Sequence, residues 1–291
     1  MRYRHAHHAG NFADVHKHVT LLALLAALKR KEKGFLYLET HAGRGAYDLR
    51  PAHPGPRPVE PGESATGIGR LDAQSGADAE ELRDYVGCVH RLRRERGEPR
   101  LYPGSPLLAA SELRPQDRGV FVEQLAPGAR ALERVLNEHA QGRAPPPRIT
   151  VQTGDGFALL RAGLPPPERR GLTLIDPPYE ESRQDFERVR QAASEALRRF
   201  HTGVVAIWYP IKDERDTAAW QAALAAELDC ELLAAELSLY PRDSRVALNG
   251  SGMLVLNPPY QVAERMQSWL PELHARLDLG HGGGASVRRL G

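Results

Sequence analysis

The stretch FLYLETHAGRG, residues 35–45, decides the architecture. Residues 35–40 read as a short buried strand, and His41-Ala42-Gly43-Arg44-Gly45 follows without a break. A glycine turn directly after such a strand lets backbone approach a ligand at the strand's carboxyl end. Working back, Gly34 ends a helix expected over 12–31, opened by Asn11 as N-cap with Asp14 three residues on. Leu21, Leu24, Leu25 and Leu28 fall at i, i+3, i+4 and i+7 and make one apolar face. Lys17 and His18 stand on or beside that face, one turn nearer the N-terminus, where polar groups require partners or a pocket. Working forward, strands are expected at 119–123, 148–152, 172–176, 203–209, 230–240 and 252–257, with helices at 129–139, 184–199 and 217–228. Alternating strands and helices imply an α/β fold with a mainly parallel sheet covered on both faces.

The alternation breaks between 46 and 116. Five prolines between Pro51 and Pro61 mark a loop, residues 77–96 form a charged helix, and Ser105-Pro106 opens another as N-cap and first-turn proline. The chain therefore divides into residues 1–46 (first helix and strand), an insertion at 47–116, the rest of the main domain at 117–279, and a tail at 280–291. Gly282, Gly283 and Gly284 lead us to expect that tail to be flexible.

Composition narrows the function. With 291 residues, 41% of them apolar and 26% charged, the chain has ample material for a core. Its longest apolar run, 19–28, is about half a membrane span, and MRYRHAHH lacks a signal peptide's apolar stretch. Cys88 and Cys230 stand in unrelated contexts with no CxxC, so a reducing cytoplasm is expected. The formal charge of +2 hides an asymmetry: residues 1–33 hold seven Lys or Arg and five His against Asp14 and Glu32. A second basic cluster runs through Arg91, Arg93, Arg94 and Arg96. Such patches suit a polyanionic partner or, equally, solvated helix faces.

At the strand ends stand His41 and Gly43, then Glu123, then Asp155-Gly156, then Asp176-Pro177-Pro178-Tyr179. An acid ending the second strand can grip ribose hydroxyls, and Asp155 can accept from an adenine amino group. No GxxxxGK occurs and the first turn is not GxGxxG, so the set describes a nucleoside pocket without a phosphate cradle. In DPPY, proline removes a backbone donor and leaves carbonyls free. Asp176 and the Pro177 carbonyl can hold an exocyclic amine with its lone pair aimed at an electrophilic methyl group, and Tyr179 can stack on the base. Asn257-Pro258-Pro259-Tyr260 repeats the motif, but no cofactor strand can follow it; a structural strand-exit turn is expected there.

Those motifs identify a resemblance. YRHAHHAGNFADVHKH (residues 3–18), FLYLETHAGRG, YPGSP (102–106), FVE (121–123), GDGF (154–157), LIDPPYE (174–180) and SGMLVLNPPY (251–260) resemble the RlmJ family of bacterial 23S rRNA adenine-N6 methyltransferases, which use S-adenosylmethionine. The resemblance implies a class I, Rossmann-like methyltransferase fold with a seven-stranded sheet and a helical insertion after the first strand. By it, His18, His41, Ser105, Glu123, Asp155, Gly156 and Asp176 would contact the cofactor or lie beside it. Asp176 would be the catalytic acceptor, with Tyr3, His5 and Lys17 near the target adenine. The partner would be 23S rRNA and the protein a monomer, with no metal and no membrane. The proline-rich 51–61 stretch and the glycine tail depart from the family's motifs.

Three rival readings remain at this point. A metal hydrolase would use the N-terminal histidines, but His16 and His18, two apart on a helix, point some 200° apart. A non-catalytic RNA-binding protein could keep the fold without the chemistry. A DNA adenine-N6 methyltransferase would need the same pocket.

Overall fold

The computed structural model describes residues 9–49, 63–74, 76–141, 143–180, 182–241, 244, 246 and 248–291. Helix α1 (Phe12–Lys29) opens where its cap predicts: Asp14 N–H donates to Asn11 Oδ1 at 2.9 Å, and Asp14 Oδ2 accepts in return from Gly10 N–H at 3.0 Å. Leu21, Leu24, Leu25 and Leu28 are all buried, each adding roughly 1.5–3 kcal/mol. Strand β1 (Leu36–Glu39) follows, entirely buried, and then β2 (Ala46–Asp48). The insertion holds α2 (Ile68–Asp72), α3 (Glu80–Arg96), β3 (Leu101–Pro103), which pairs with β2, and α4 (Ser105–Glu112). Gly97, at φ +65°, ends α3 in the left-handed conformation that glycine accepts without strain.

From there strand and helix alternate: β4 (Arg118–Glu123), α5 (Ala126–Gln141), β5 (Arg148–Thr153), α6 (Gly156–Gly163), β6 (Gly171–Ile175), α7 (Ser182–Arg199), β7 (Val204–Ile211), α8 (Glu214–Glu227) and β8 (Leu232–Ser238). The chain closes with β9 (Gly250–Leu256), α9 (Val262–Leu277) and β10 (Gly284–Leu290). The main sheet runs β10-β8-β9-β7-β6-β1-β4-β5. Strands β5, β4, β1, β6 and β7 are mutually parallel; β9 is antiparallel to both β7 and β8, and β10 is antiparallel to β8. This is a Rossmann-like α/β sheet with eight strands rather than the expected seven. The eighth is the tail: residues 284–290 pair with β8 along its length instead of hanging free. Backbone pairing recovers there what the glycines cost in chain entropy, and a glycine count does not register a waiting sheet edge.

Because side chains alternate along a strand, residue parity assigns each position to a face. Tyr37, Phe121, Leu174, Ala206 and Met253 belong to a core shared with α1, α3 and α9, whereas Leu38, Val122, Ile175, Ile207 and Leu254 pack with residues of α6, α7 and α8. Extending the first set to the strand ends brings Glu39, Glu123, Asp176, Trp208 and Ser251 onto the α1 face. The insertion grips the start of α1. Ile68 N–H donates to Gly10 O at 2.8 Å, and a Cβ on Gly67 would lie 2.1 Å from that same oxygen.

Candidate active site

Each nucleating residue of the site leaves the sheet at the carboxyl end of a parallel strand. The register Ile175↔Ile207 makes Trp208 the neighbour of Asp176 on the next strand, and α1 runs beneath them. Lys17 Nζ rises from α1 to lie 2.6 Å from Asp176 Oδ2 and 2.9 Å from Asp14 Oδ1. Burial works against the Lys17 charge, but the two carboxylates outweigh it and raise its pKa well above the ordinary lysine value. Asp176 Oδ1 carries no hydrogen bond among the described residues, and Asp176 is partly exposed. A carboxylate held through one oxygen and open at the other is suited to accept from an incoming amine. Pro177 beside it is buried and brings no N–H.

Behind Asp176 lies Glu39, wholly buried, whose carboxyl accepts from Ser105 Oγ at 2.5 Å and from Tyr37 Oη at 2.9 Å. Burial, joined by the charge of Asp176, pushes its pKa up to about 8 against the pull of those hydroxyls and Lys17. Ser105 is thus a partner of Glu39 and not the expected N-cap. Gly104 occupies the cap position of α4, without a side-chain hydrogen bond. Glu39 escaped the sequence reading because it counted as strand interior; the acid within an otherwise apolar FLYLET was the available signal.

The nucleoside side is built at β4 and β5. Glu123 is held by two backbone donors, Gly43 N–H to Oε2 at 2.9 Å and Leu125 N–H to Oε1 at 2.8 Å. Gly43 makes that approach at φ +64°, and a Cβ there would meet Tyr47 Oη at 2.7 Å. Gly156 starts α6 directly against the end of β1, where a Cβ would lie 2.0 Å from Thr40 O. Asp155 caps α6 through Oδ1, accepting from Phe157 N–H at 2.8 Å and Ala158 N–H at 3.3 Å, which leaves Oδ2 outside the cap. His41 sits edge-on to Phe157, with its Nδ1 2.8 Å from Thr40 Oγ1; burial lowers its pKa to about 4, so it is neutral at pH 7. His18 is fully buried, its Nδ1 2.9 Å from Tyr102 Oη and its ring stacked on Tyr102 at 5.6 Å. Tyr3 and His5 lie outside the described residues, as does the proline-rich stretch at 51–61.

The sequence leads one to expect Tyr179 to face a base. The structure instead packs it, 8% exposed, against Phe186 and Trp208, and its hydroxyl donates to Trp208 O at 2.7 Å. The arginine cluster is corrected too. Arg91 pairs with Glu112 and Glu95, Arg93 with Asp72 and Leu101 O, and Arg96 with Glu138 and Val135 O. Three of the four arginines are thus stapled to neighbouring elements, and Arg94 stands exposed on the same helix. Asn257 is structural: at φ +52° it turns the chain out of β9 while its Nδ2 donates to His201 O and Gly203 O. A cavity of about 590 Å³ between α8 and β10 contains none of the residues at the Asp176 edge, and its Glu236 is satisfied by Tyr209, Gln221 and Arg288.

Comparison with known proteins agrees over nearly the whole chain. Residues 32–289 match the family described as "Ribosomal RNA large subunit methyltransferase D, RlmJ". The chain is 39% identical over 287 residues to the Ribosomal RNA large subunit methyltransferase J of Escherichia coli (strain K12), covering 99% of this chain and 98% of that protein. It is 40% identical over 277 residues to the protein of the same name from Haemophilus influenzae, covering 95% and 94%. A crystal structure of a Legionella pneumophila protein superposes with a TM-score of 0.82 at 31% identity, covering 97% of this chain and 98% of that one.

Proposed function

Since the chain belongs to the RlmJ family of ribosomal RNA large subunit methyltransferases, we propose that it transfers a methyl group from S-adenosylmethionine to the exocyclic N6 amine of an adenine in 23S rRNA. One observation carries this reading: Asp176, at the carboxyl end of β6, is held through Oδ2 by a buried ammonium and keeps Oδ1 for an incoming donor.

The residues present fit the cofactor. Glu123, fixed by two backbone amides, offers its remaining lone pairs to ribose hydroxyls, and Asp155 Oδ2 to an adenine amine. Gly43 and Gly156 let the turn and the start of α6 pack directly on Tyr47 and Thr40, where a Cβ would collide, and so draw the backbone close around the site. Neutral His41 borders the same turn without adding charge, and Ser105 with Glu39 lines the floor between β1 and α4. His18 supports Tyr102 beneath that floor. S-adenosylmethionine, when bound, supplies the electrophilic methyl group.

The acceptor amine is a poor nucleophile because its lone pair is delocalised into the base, so orientation is the protein's main contribution. Asp176 Oδ1 and the Pro177 carbonyl accept the two amine hydrogens and turn the lone pair toward the methyl carbon. Uptake of the methyl group would leave the amine nitrogen positive. Asp176 stabilises that charge and takes the proton released from nitrogen. Lys17 holds Asp176 in place, and Asp14 keeps Lys17 from neutralising it entirely. Tyr3 and His5 complete the adenine side in this reading. We take the enzyme to act as a monomer in the cytoplasm, with 47–116 as an insertion subdomain whose residues 67–68 pack against the start of α1. No helix among the described residues is long and apolar enough to cross a membrane.

The test is methyl transfer from radiolabelled S-adenosylmethionine to protein-free 23S rRNA, with double-stranded DNA alongside, followed by nucleoside analysis. Label in N6-methyladenosine from rRNA alone supports the reading. Label only in DNA keeps the pocket and overturns the substrate.

A further inference from the structure

Tyr179 is packed away, and a different aromatic side chain borders Asp176. Parity and register place Trp208 on the α1 face of β7, one sheet spacing of about 4.8 Å from the strand that delivers Asp176. Trp208 is partly exposed, unlike Tyr179, and Lys17 Nζ stands over the indole, 5.8 Å from its centroid. The ring and the Asp176–Lys17 pair therefore border one space.

The indole is also held at a set angle. Its Nε1–H donates to Ser251 Oγ at 3.0 Å, and Ser251 Oγ lies 3.0 Å from Nδ1 of His16, a residue with no exposure. From the other side, Trp208 O accepts the Tyr179 hydroxyl, tying the same residue to the DPPY loop. An aromatic ring pinned at its N–H edge, and by its backbone to the catalytic loop, is built to present a surface. Hydrogen bonds to Asp176 and Pro177 fix a base only at its amine edge; its flat face needs a second support if the lone pair is to keep its direction.

We propose that the Trp208 indole is the platform against which the target adenine packs, with Ser251 and His16 as positioning residues that set its angle. This deepens the adenine-N6 reading and rests on it. Aromatic platforms serve any base, so Trp208 governs how firmly and in what orientation the acceptor is held, while Asp176 selects the amine.

Trp208→Phe keeps an aromatic face without the pinned N–H, whereas Trp208→Leu keeps apolar bulk without the face. In steady-state methyl transfer to the polymer that the wild type labels, Phe loses no more than about threefold in kcat/KM and Leu about 10- to 100-fold, with cofactor affinity unchanged in both. Ser251→Ala lowers kcat more than it raises KM for the polymer. Equal activity of the Phe and Leu variants overturns the proposal, as does a loss in Leu that tracks weakened cofactor binding. A second readout needs no turnover: adenosine added in the presence of S-adenosylhomocysteine quenches wild-type tryptophan emission but not that of Trp208→Phe, which retains Trp220 and Trp269. Absence of quenching in the wild type counts against the platform. Label in DNA but not rRNA defeats the substrate reading alone and moves the Phe–Leu comparison to DNA.

Discussion

Asp176-Pro177-Pro178-Tyr179 and Asn257-Pro258-Pro259-Tyr260 share three residues of four, and each follows a strand, yet they leave one sheet at opposite ends of its strands. β6 runs with the parallel set and releases Asp176 above α1; β9 runs against it, so Val205↔Leu256 places Asn257 beside the start of β7. The aromatic residues differ as much, Tyr179 at 8% exposure and Tyr260 at 83%. A Pro-Pro-Tyr tail is a stiff way to leave a strand. It becomes a reactive loop only where strand direction carries it to the edge at which Lys17, Glu39 and Trp208 converge.

The strongest way to break this contrast is at the acids. Asp176→Ala should lower turnover about 10²- to 10³-fold, with the melting temperature little changed because Lys17 keeps Asp14 as partner. Near-wild-type turnover in the methyl-transfer assay would refute the role of Asp176. Next in size is the buried acid supporting only one of the two loops. Glu39 has a folded pKa of about 8 against 4.5 unfolded, so its contribution to stability is complete below about pH 4.5 and is lost as pH rises through about 8. Thermal melts of the wild type should weaken across that window by up to a few kcal/mol, and Glu39→Gln should flatten the profile. An identical slope in the variant would show that another group titrates.

Asn257→Ala removes two hydrogen bonds and leaves alanine at φ +52°, so it should cost roughly 1–3 kcal/mol in denaturant unfolding without changing kcat. A fall in kcat at unchanged cofactor affinity would reopen the second loop as functional. The smallest expected effects separate the tyrosines. Tyr179→Phe should cost about 1 kcal/mol through loss of the bond to Trp208 O, while Tyr260→Ala should stay within about 0.5 kcal/mol. Equal costs would mean that exposure does not distinguish the two loops.

Much of this was legible in the chain. The strand at 35–40, the N-cap at Asn11, the alternation after 117 and the acids at the strand ends all rest on local chemistry, and local chemistry is what periodicity and caps report. The misreadings share one cause. Ser105 looked like a cap because serine before proline usually is one; the carboxyl that claims it lies 66 residues away on β1. The arginines of α3 read as a patch because charge along a helix is visible, whereas the carboxylates that pair with Arg93, Arg91 and Arg96, namely Asp72, Glu112 and Glu138, come from other elements. Trp208 reads as a core strand residue and Ser251 as the residue just before the last expected strand, and only the pairing of β7 with β6 and β9 brings them to Asp176.

The sequence by itself determined where most strands and helices form, though not α9 or β10, which residues could bind a nucleoside, and that Asp176 follows a buried strand. These follow from spacing, from proline and glycine stereochemistry, and from the cost of burying charge. The tertiary structure alone decided which edge each loop occupies, that Lys17 reaches Asp176 across 159 residues, and that Glu39 stands beside them without exposure. The reason is physical: strand order and direction are set by the packing of whole faces, and a buried charge acquires its partner, and thereby its chemistry, only once those faces close.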